Sequence, residues 1–141
     1  MTIKESSFNK RLREHFKLMG FKIDRIESHA TSPGIPDNAW VQEAGHSGWL
    51  EIKESLRMPK RIHFQPQQAL WQVDHAKHGG NCATILHIKE EDQAVFIPGR
   101  FAIKAERDLK LLMEKEPESV RLFKLKEETS WHMLCVSIVL G

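Results

Sequence analysis

Cysteine is scarce in this chain, and long apolar runs are absent. Cys82 and Cys135 are the two cysteines among 141 residues, and in a reducing compartment two thiols are expected to stay free and buried. The longest apolar stretches, such as 133–140, fall far short of the roughly 20 residues that a membrane-spanning helix needs. The first residues also lack the apolar core and cleavage site of a secretory signal. The sequence therefore predicts a cytoplasmic protein with neither a disulfide scaffold nor a membrane partner.

Charge of neither sign dominates, and proline and glycine occur at ordinary levels. There are 21 Lys and Arg against 19 Asp and Glu, with 6 Pro and 8 Gly. With 40% hydrophobic and 28% charged residues, the composition excludes a disordered chain and a fibrous repeat. The length predicts one globular domain over 1–141 with one catalytic or binding centre.

The periodicity predicts an α/β domain in the order α-β-β-β-α-β with trailing elements, built as a mixed sheet flanked by helices. Apolar residues at helical spacing predict a first helix from about Glu5 to Met19, ended by Gly20. Alternation predicts strands at 21–26, 38–42 and 48–53, of which the last two form a hairpin. The other predicted elements are a helix that opens at Gln65-Pro66 and closes at Gly79-Gly80, strands at 82–88 and 94–97, a helix from Phe101 to near Pro117, and strands at 120–125 and 133–140.

One constellation of residues points to chemistry. The turn Gly34-Ile35-Pro36-Asp37 precedes the hairpin, and Glu51-Ile52-Lys53 lies in its second arm. Side chains two positions apart in a strand share a face, so Glu51 and Lys53 should project together. Because the hairpin folds back on itself, Asp37 is expected to reach the same pocket.

Two adjacent carboxylates repel each other unless a hard divalent cation such as Mg²⁺ lies between their oxygens. Such a metal polarises a phosphoryl oxygen and lowers the pKa of a bound water. A neighbouring lysine can orient that water or neutralise charge on the phosphate. The constellation therefore predicts hydrolysis of phosphodiester bonds.

The acid-x-Lys tripeptide is not specific by itself. Asp108-Leu109-Lys110 also matches it, inside a predicted helix, and a solvent-facing ion pair is the alternative explanation for Glu51 and Lys53. The context distinguishes the two tripeptides, since the turn before Asp37 and a basic segment after Lys53 accompany the first one alone. That segment supplies the candidate contacts to DNA phosphates, which are Arg57, Lys60 and Arg61.

These motifs resemble those of the PD-(D/E)xK nucleases, and among them the virus-type replication-repair nuclease group with its phage-type, Holliday junction resolvase-like members. The resemblance covers about the first 90 residues and rests on Glu5, Gly20, Ser32-Pro33-Gly34-Ile35-Pro36-Asp37, Glu51-Ile52-Lys53 and Gln65-Pro66-Gln67-Gln68-Ala69-Leu70-Trp71. It implies a restriction-endonuclease-like fold with a catalytic core over about 1–97. The remaining residues, about 98–141, would be a C-terminal extension without a counterpart.

The resemblance also implies roles for individual residues. Asp37, Glu51, Glu5 and the backbone carbonyl of Ile52 would be metal ligands, Lys53 the catalytic lysine, and Gln68 a residue facing the scissile phosphate. Glu14 is the alternative to Glu5, because both lie on the same predicted helix.

At the level of the whole protein, the resemblance implies an endodeoxyribonuclease of phage or bacterial origin that acts in DNA recombination and repair. It would require Mg²⁺ or Mn²⁺, use no small-molecule cofactor and cut branched DNA as a homodimer. The alternative is a non-catalytic nucleic-acid-binding module of the same fold, against which the complete set of Asp37, Glu51 and Lys53 speaks.

A third possibility is a zinc-stabilised interaction domain. His75, His78 and Cys82 have spacing that suits zinc, with His87 or Cys135 as a fourth ligand. The competing interpretation is that the two histidines end a helix and that Cys82 begins a buried strand.

The four tryptophans also allow two interpretations. Trp40 and Trp49 lie beside the predicted site, where indole rings could stack on bases. Trp71 and Trp131 are predicted to pack in the core.

Overall fold

A computed structural model of the chain describes residues 7–26 and 34–141. Its helices are α1 (Ser7–Leu18), α2 (Gln68–Lys77), α3 (Ala102–Arg107), α4 (Leu109–Lys115) and α5 (Glu128–Leu140), with a 3₁₀ turn at Gly99–Phe101. Its strands are β1 (Phe21–Arg25), β2 (Asn38–Gln42), β3 (Ser47–Ser55), β4 (Cys82–Ile88), β5 (Gln93–Pro98) and β6 (Arg121–Lys124). Glu5 and most of the loop before Gly34 lie outside the described residues.

The six strands form one mixed sheet whose spatial order follows the sequence from β1 to β6. The strands β3 and β4 are parallel, whereas the other neighbouring pairs are antiparallel. Parallel neighbours need a crossover connection, and α2 supplies it between β3 and β4. The predicted α/β class, the order α-β-β-β-α-β and the hairpin formed by β2 and β3 are confirmed.

Helices cover the two faces of the sheet unequally. One face carries α1 and α5 over all six strands, with Phe8, Leu12 and Leu134 in its core. The opposite face carries α2, α3 and α4, and its core draws residues from β4 and β5 but none from β1 or β2. The face of β1 and β2 opposite α1 is therefore left without helical cover among the described residues, and Lys22 and Val41 are exposed on it.

The prediction of a strand over 133–140 is wrong, because these residues belong to α5. Trp131, Leu134, Cys135 and Ile138 are all buried, and they follow one another at intervals of three, one and three. This spacing places them on one face of a helix, directed at the sheet. The β-branched composition of the segment gave the wrong element, although the helical spacing was present.

Two helix boundaries also differ from the prediction. The helix expected to open at Gln65-Pro66 begins at Gln68, so Pro66 lies ahead of the first turn and not within it. The helix expected to run on from Phe101 is broken at Asp108, whose backbone is extended (φ −161°, ψ 96°). The Asp108 carboxylate accepts a hydrogen bond from the Leu111 N–H at 3.0 Å, so it caps α4 and separates this helix from α3.

The part of the structure after Pro98 does not stand apart from the sheet. It adds β6 to the edge of β5, and it adds α5, whose apolar side packs with α1 against the sheet. No helix in the ranges 7–26 and 34–141 is long and apolar enough to cross a membrane.

Candidate active site

The turn before β2 is pressed against the beginning of α2. Gly34 has φ +91°, and a Cβ atom at this position would lie 2.5 Å from the carbonyl oxygen of Gln67. Only glycine combines this backbone conformation with so close an approach. Gln67 itself is left-handed (φ 72°), and its carbonyl accepts the N–H of Trp71 at 2.9 Å. This contact fixes Asp37, three residues later, relative to the first residues of α2.

Glu51, Lys53 and Gln68 form one hydrogen-bonded group. The Lys53 ammonium donates to Gln68 Oε1 at 2.8 Å, and Gln68 Nε2 donates to Glu51 Oε1 at 3.2 Å. Lys53 Nζ lies 4.0 Å from Glu51 Oε1 and 5.6 Å from the centre of the Phe64 ring. Gln68 Oε1 also accepts the backbone N–H of Gln65 at 2.8 Å. These bonds hold the Gln68 amide in one orientation between Lys53 and Glu51.

Asp37 adjoins this group from the neighbouring strand. The ladder between β2 and β3 pairs Asn38 with Leu50, so the next pair of positions is Asp37 opposite Glu51. The backbone N–H of Asp37 donates to Glu51 Oε2 at 3.1 Å. The structure thus brings Asp37, Glu51, Lys53 and Gln68 together, on the face of β3 that the alternation predicted.

The Glu51 carboxyl is almost fully buried, with 2% of the residue exposed. Burial is the main reason that its pKa is raised to about 8, and the negative charge of Asp37 raises it further. The Lys53 ammonium acts in the opposite direction and lowers the pKa. The fold therefore holds a carboxylate where negative charge is unfavourable until a further positive charge arrives.

The stability of the metal-free protein should depend on pH through Glu51. Because its pKa is about 8 when folded, against 4.5 for the ordinary carboxyl, the native state binds the extra proton between these values. Stability should therefore fall as pH rises from about 4.5 to about 8. In EDTA, the melting temperature of Glu51→Gln minus that of the wild type should increase across this window. A constant difference between the two proteins would contradict the burial effect.

The backbone carbonyl of Ile52 also lies beside Asp37. The N–H of Trp49 donates to Asn81 on the β4 side of β3 at 3.0 Å, and backbone groups of successive strand residues point to alternate sides. The Ile52 carbonyl therefore points to the β2 side. The ladder with β2 ends at the pair Asn38 and Leu50, so this carbonyl lies past the end of the ladder, beside Asp37.

Sequence reasoning missed three residues that line the small cavity shared by Asp37 and Ile52. These are Asn9 and Arg13 of α1 and Arg25 at the end of β1. Asn9 and Arg13 are four positions apart, so one face of α1 is directed at the site. That spacing is readable in the sequence, but which face of α1 meets Asp37 depends on packing.

The other sequence-predicted residues lie elsewhere or are not described. Glu14 is exposed on α1 and does not belong to the residues that line this cavity, while Glu5 lies outside the described residues. Arg57 forms an exposed ion pair with Glu90 at 2.9 Å. Lys60 and Arg61 are exposed on the segment between β3 and α2.

The zinc alternative has no geometric support. The ring of His75 stacks on Trp71 with centres 4.6 Å apart, and the Cys82 thiol donates to the carbonyl of Gln72 at 3.3 Å. Burial raises the pKa of this thiol to about 11, which disfavours the thiolate that binds zinc. Across the ranges 7–26 and 34–141, no three His, Cys, Asp or Glu side chains form a group that could hold a metal ion.

The tryptophans divide differently from the prediction. Trp40 is 3% exposed and stacks on Phe21 with ring centres 5.4 Å apart, so it belongs to the core and is not available to a base. Trp131 is buried, as predicted. Trp49 and Trp71 are half-buried, and they meet edge to face at 5.8 Å and 73°.

Similar proteins were found by structure and not by sequence. No family model and no curated protein matches this sequence. The solved structure of Hjc, a Holliday junction resolvase from the archaeal hyperthermophile Archaeoglobus fulgidus, has 18% sequence identity and a TM-score of 0.51. The similarity covers 67% of this chain and 76% of that chain. A VRR_NUC domain is similar over 58% of this chain and 82% of its own length, with 18% identity and a TM-score of 0.46.

The similarity to the resolvase structure concerns the fold. The mixed sheet with helices on both faces is a restriction-endonuclease-like arrangement, and the fold predicted from the sequence is confirmed.

Proposed function

We propose that this nuclease-like fold is a divalent-metal-dependent endonuclease that hydrolyses phosphodiester bonds in DNA. The observation that carries the proposal is the convergence of Asp37, Glu51, Lys53 and Gln68 at one end of the hairpin. Burial disfavours the charge of the Glu51 carboxylate, so packing alone does not explain why an acid occupies this position. Its place beside a second carboxylate is explained by a cation that both would hold.

The oxygen atoms of Asp37, Glu51 and Ile52 fit a hard divalent cation. The Asp37 and Glu51 carboxylates and the Ile52 carbonyl are the ligand types that Mg²⁺ and Mn²⁺ prefer. A bound cation would offset the burial and the repulsion by Asp37 that together raise the pKa of Glu51. When bound, Mg²⁺ polarises a phosphoryl oxygen and lowers the pKa of water.

The remaining groups would act on the phosphate and its surroundings. Lys53, held in place by Gln68, would neutralise charge that develops on the phosphate in the transition state. Asn9, Arg13 and Arg25, in the adjoining cavity, would contact the strand being cut through hydrogen bonds and charge.

Glu5 is proposed to complete the metal ligands, and the competing candidate is Glu14. In the sequence, Glu5 stands four positions before the cavity residue Asn9, whereas Glu14 is exposed on the helix. Glu5→Gln should therefore lower the cleavage rate by on the order of tenfold or more, and Glu14→Gln should leave it unchanged. Rates of both variants at saturating Mg²⁺ check this. The opposite pattern would assign the role to Glu14.

The substrate is proposed to be branched DNA, cut by a homodimer. One catalytic centre cleaves one phosphodiester at a time, and a two-fold dimer supplies two identical centres for the two cuts that a four-way junction needs. The fold of the chain is that of a protein named as a Holliday junction resolvase, which supports this choice.

Sedimentation at micromolar concentration should give the mass of two chains, and a labelled four-way junction should be cut in preference to a linear duplex of the same sequence. A monomer that cuts both DNAs equally would contradict the dimer and the branched substrate while leaving the hydrolytic site in place.

A further inference from the structure

Glu51, Lys53 and Gln68 belong to a stripe of side chains on β3 and α2 that continues beyond Glu51 into a pair of half-buried tryptophans. Along β3, Trp49 shares its face with Glu51 and Lys53, because the three residues are two positions apart. Along α2, Trp71 is three residues after Gln68, so it lies on the same side of that helix. The two series meet twice, since Gln68 contacts Glu51 and Trp71 contacts Trp49.

Aromatic contacts involve at most one face of the Trp49 ring. The Trp71 ring stacks on His75 at 4.6 Å, and it meets Trp49 at 73°. An edge-to-face contact covers at most one face of each ring. At least one face of Trp49 therefore has no aromatic partner among the described residues.

On the side of β2, Trp49 has a small neighbour. Its cross-strand neighbour on β2 is Ala39, a small half-buried residue. Beyond Ala39 lies the part of the sheet on which the described residues place no helix on this side, and there Lys22, Asp24 and Val41 are exposed. Trp49 thus lies between the part of the sheet that α2 covers and the exposed surface of β1 and β2.

We propose that this surface of β1 and β2 is a binding site for an unpaired nucleobase of the strand being cut, with Trp49 as the residue on which the base stacks. The inference rests on the proposed nuclease function and adds a specificity-determining residue to it. Two residues along a strand span about 6.7 Å, and successive nucleotides of one strand are spaced by roughly 3.4 Å along a duplex. The base on Trp49 therefore belongs one or two nucleotides from the phosphate at Glu51.

An unpaired base is the occupant because a base within a duplex is already stacked on both faces. At a branch point, a flap or a single-stranded end, the last base has a free face, and an aromatic side chain accepts any base because every base has a π-face. Stacking on Trp49 would thus favour DNA discontinuities without reading their sequence.

The test measures binding in Ca²⁺, so that it does not depend on cleavage. A fluorescently labelled flap DNA and versions with one abasic nucleotide at each of the three positions on either side of the branch are titrated with the full chain. One abasic position should weaken binding by the wild type roughly 5- to 150-fold. Trp49→Leu should bind the intact DNA as weakly as the wild type binds that abasic DNA, and it should not distinguish the two.

Conservative and matched variants separate stacking from a structural role. Trp49→Phe retains an aromatic face and should keep most of the discrimination between intact and abasic DNA. Leu70→Ala, an exposed apolar position on α2 outside the stripe, should behave as the wild type. Melting temperatures of all three variants show whether each remains folded.

The outcomes decide the inference independently of the nuclease proposal. Equal binding of intact and abasic DNAs by the wild type, or unchanged discrimination in a folded Trp49→Leu, would overturn the base-stacking site. If discrimination is found but Mg²⁺ produces no cleavage of any DNA, the site for an unpaired base stands and the proposed nuclease function fails.

Discussion

Replacing Lys53 by alanine is expected to lower the rate of DNA cleavage by on the order of 10²- to 10³-fold while the protein remains folded. The ammonium lies 4.0 Å from Glu51 Oε1, and Gln68 holds it there. Without it, negative charge that develops on a phosphate loses the compensation that this ammonium would supply. Single-turnover rates at saturating Mg²⁺ measure the chemical step directly.

Two further variants serve as controls for the Lys53 result. Lys53→Met keeps the aliphatic stem near Phe64 and removes only the charge, so it should be as inactive as Lys53→Ala. Lys110→Ala changes the lysine of the second acid-x-Lys tripeptide, which lies exposed on α4, and should cleave at the wild-type rate. Normal activity in Lys53→Met would remove Lys53 from the site, and a loss of activity in Lys110→Ala would show that the effect is not specific to Lys53.

The second large effect is expected for Asp37→Asn, which should lower the rate of cleavage by on the order of 10³-fold or more and weaken Mg²⁺ binding. The charge of Asp37 is one reason that the pKa of Glu51 is raised. Its removal should therefore leave the metal-free protein at pH 7 as stable as the wild type or more stable. Loss of function with no loss of stability is the signature of a ligand, as opposed to a structural residue.

Melting temperatures with EDTA and with millimolar Mg²⁺ check the Asp37 prediction. The wild type should be stabilised by Mg²⁺, because a ligand that binds the native state shifts the folding equilibrium. Asp37→Asn should gain much less. If the variant melts well below the wild type in EDTA, the loss of cleavage would have to be attributed to the fold and not to a missing ligand.

The sequence predicted the central part of the fold because its signals are local. Alternation in 48–53 and the turn before Asp37 identified the hairpin, and the face shared by Glu51 and Lys53 followed from the period of a strand. The contact of Gln68 with both residues depends on how the crossover helix packs on β3, and for this residue the family resemblance supplied what periodicity could not.

The errors fall where composition and spacing disagree, or where the third dimension decides. Residues 133–140 are rich in β-branched side chains, yet Leu134, Cys135 and Ile138 face the sheet from one side of a helix. Tertiary packing of that apolar stripe outweighs the weak β preference of individual residues. Arg25 is reached from β1, a strand with no chemical motif, so only the folded arrangement brings it into the cavity with Asp37.

Trp40 shows the same limit for a single residue. Its place in the sequence beside the predicted site is the same as that of Trp49 in the other arm of the hairpin. Alternation directs Trp40 to the side of α1, where it packs on Phe21, and directs Trp49 to the side of α2. The two tryptophans could be distinguished only after the register of β2 and β3 was known.

Metal-dependent hydrolysis is tested most directly by cleavage of end-labelled four-way junction and linear duplex DNA by the wild type and by Glu51→Gln, each with Mg²⁺ and with EDTA. We expect cut products from the wild type in Mg²⁺, none in EDTA, and none from Glu51→Gln under either condition. Binding of the labelled DNA without any Mg²⁺-dependent cleavage by the wild type would contradict it, and would instead identify a nucleic-acid-binding module that keeps the nuclease fold.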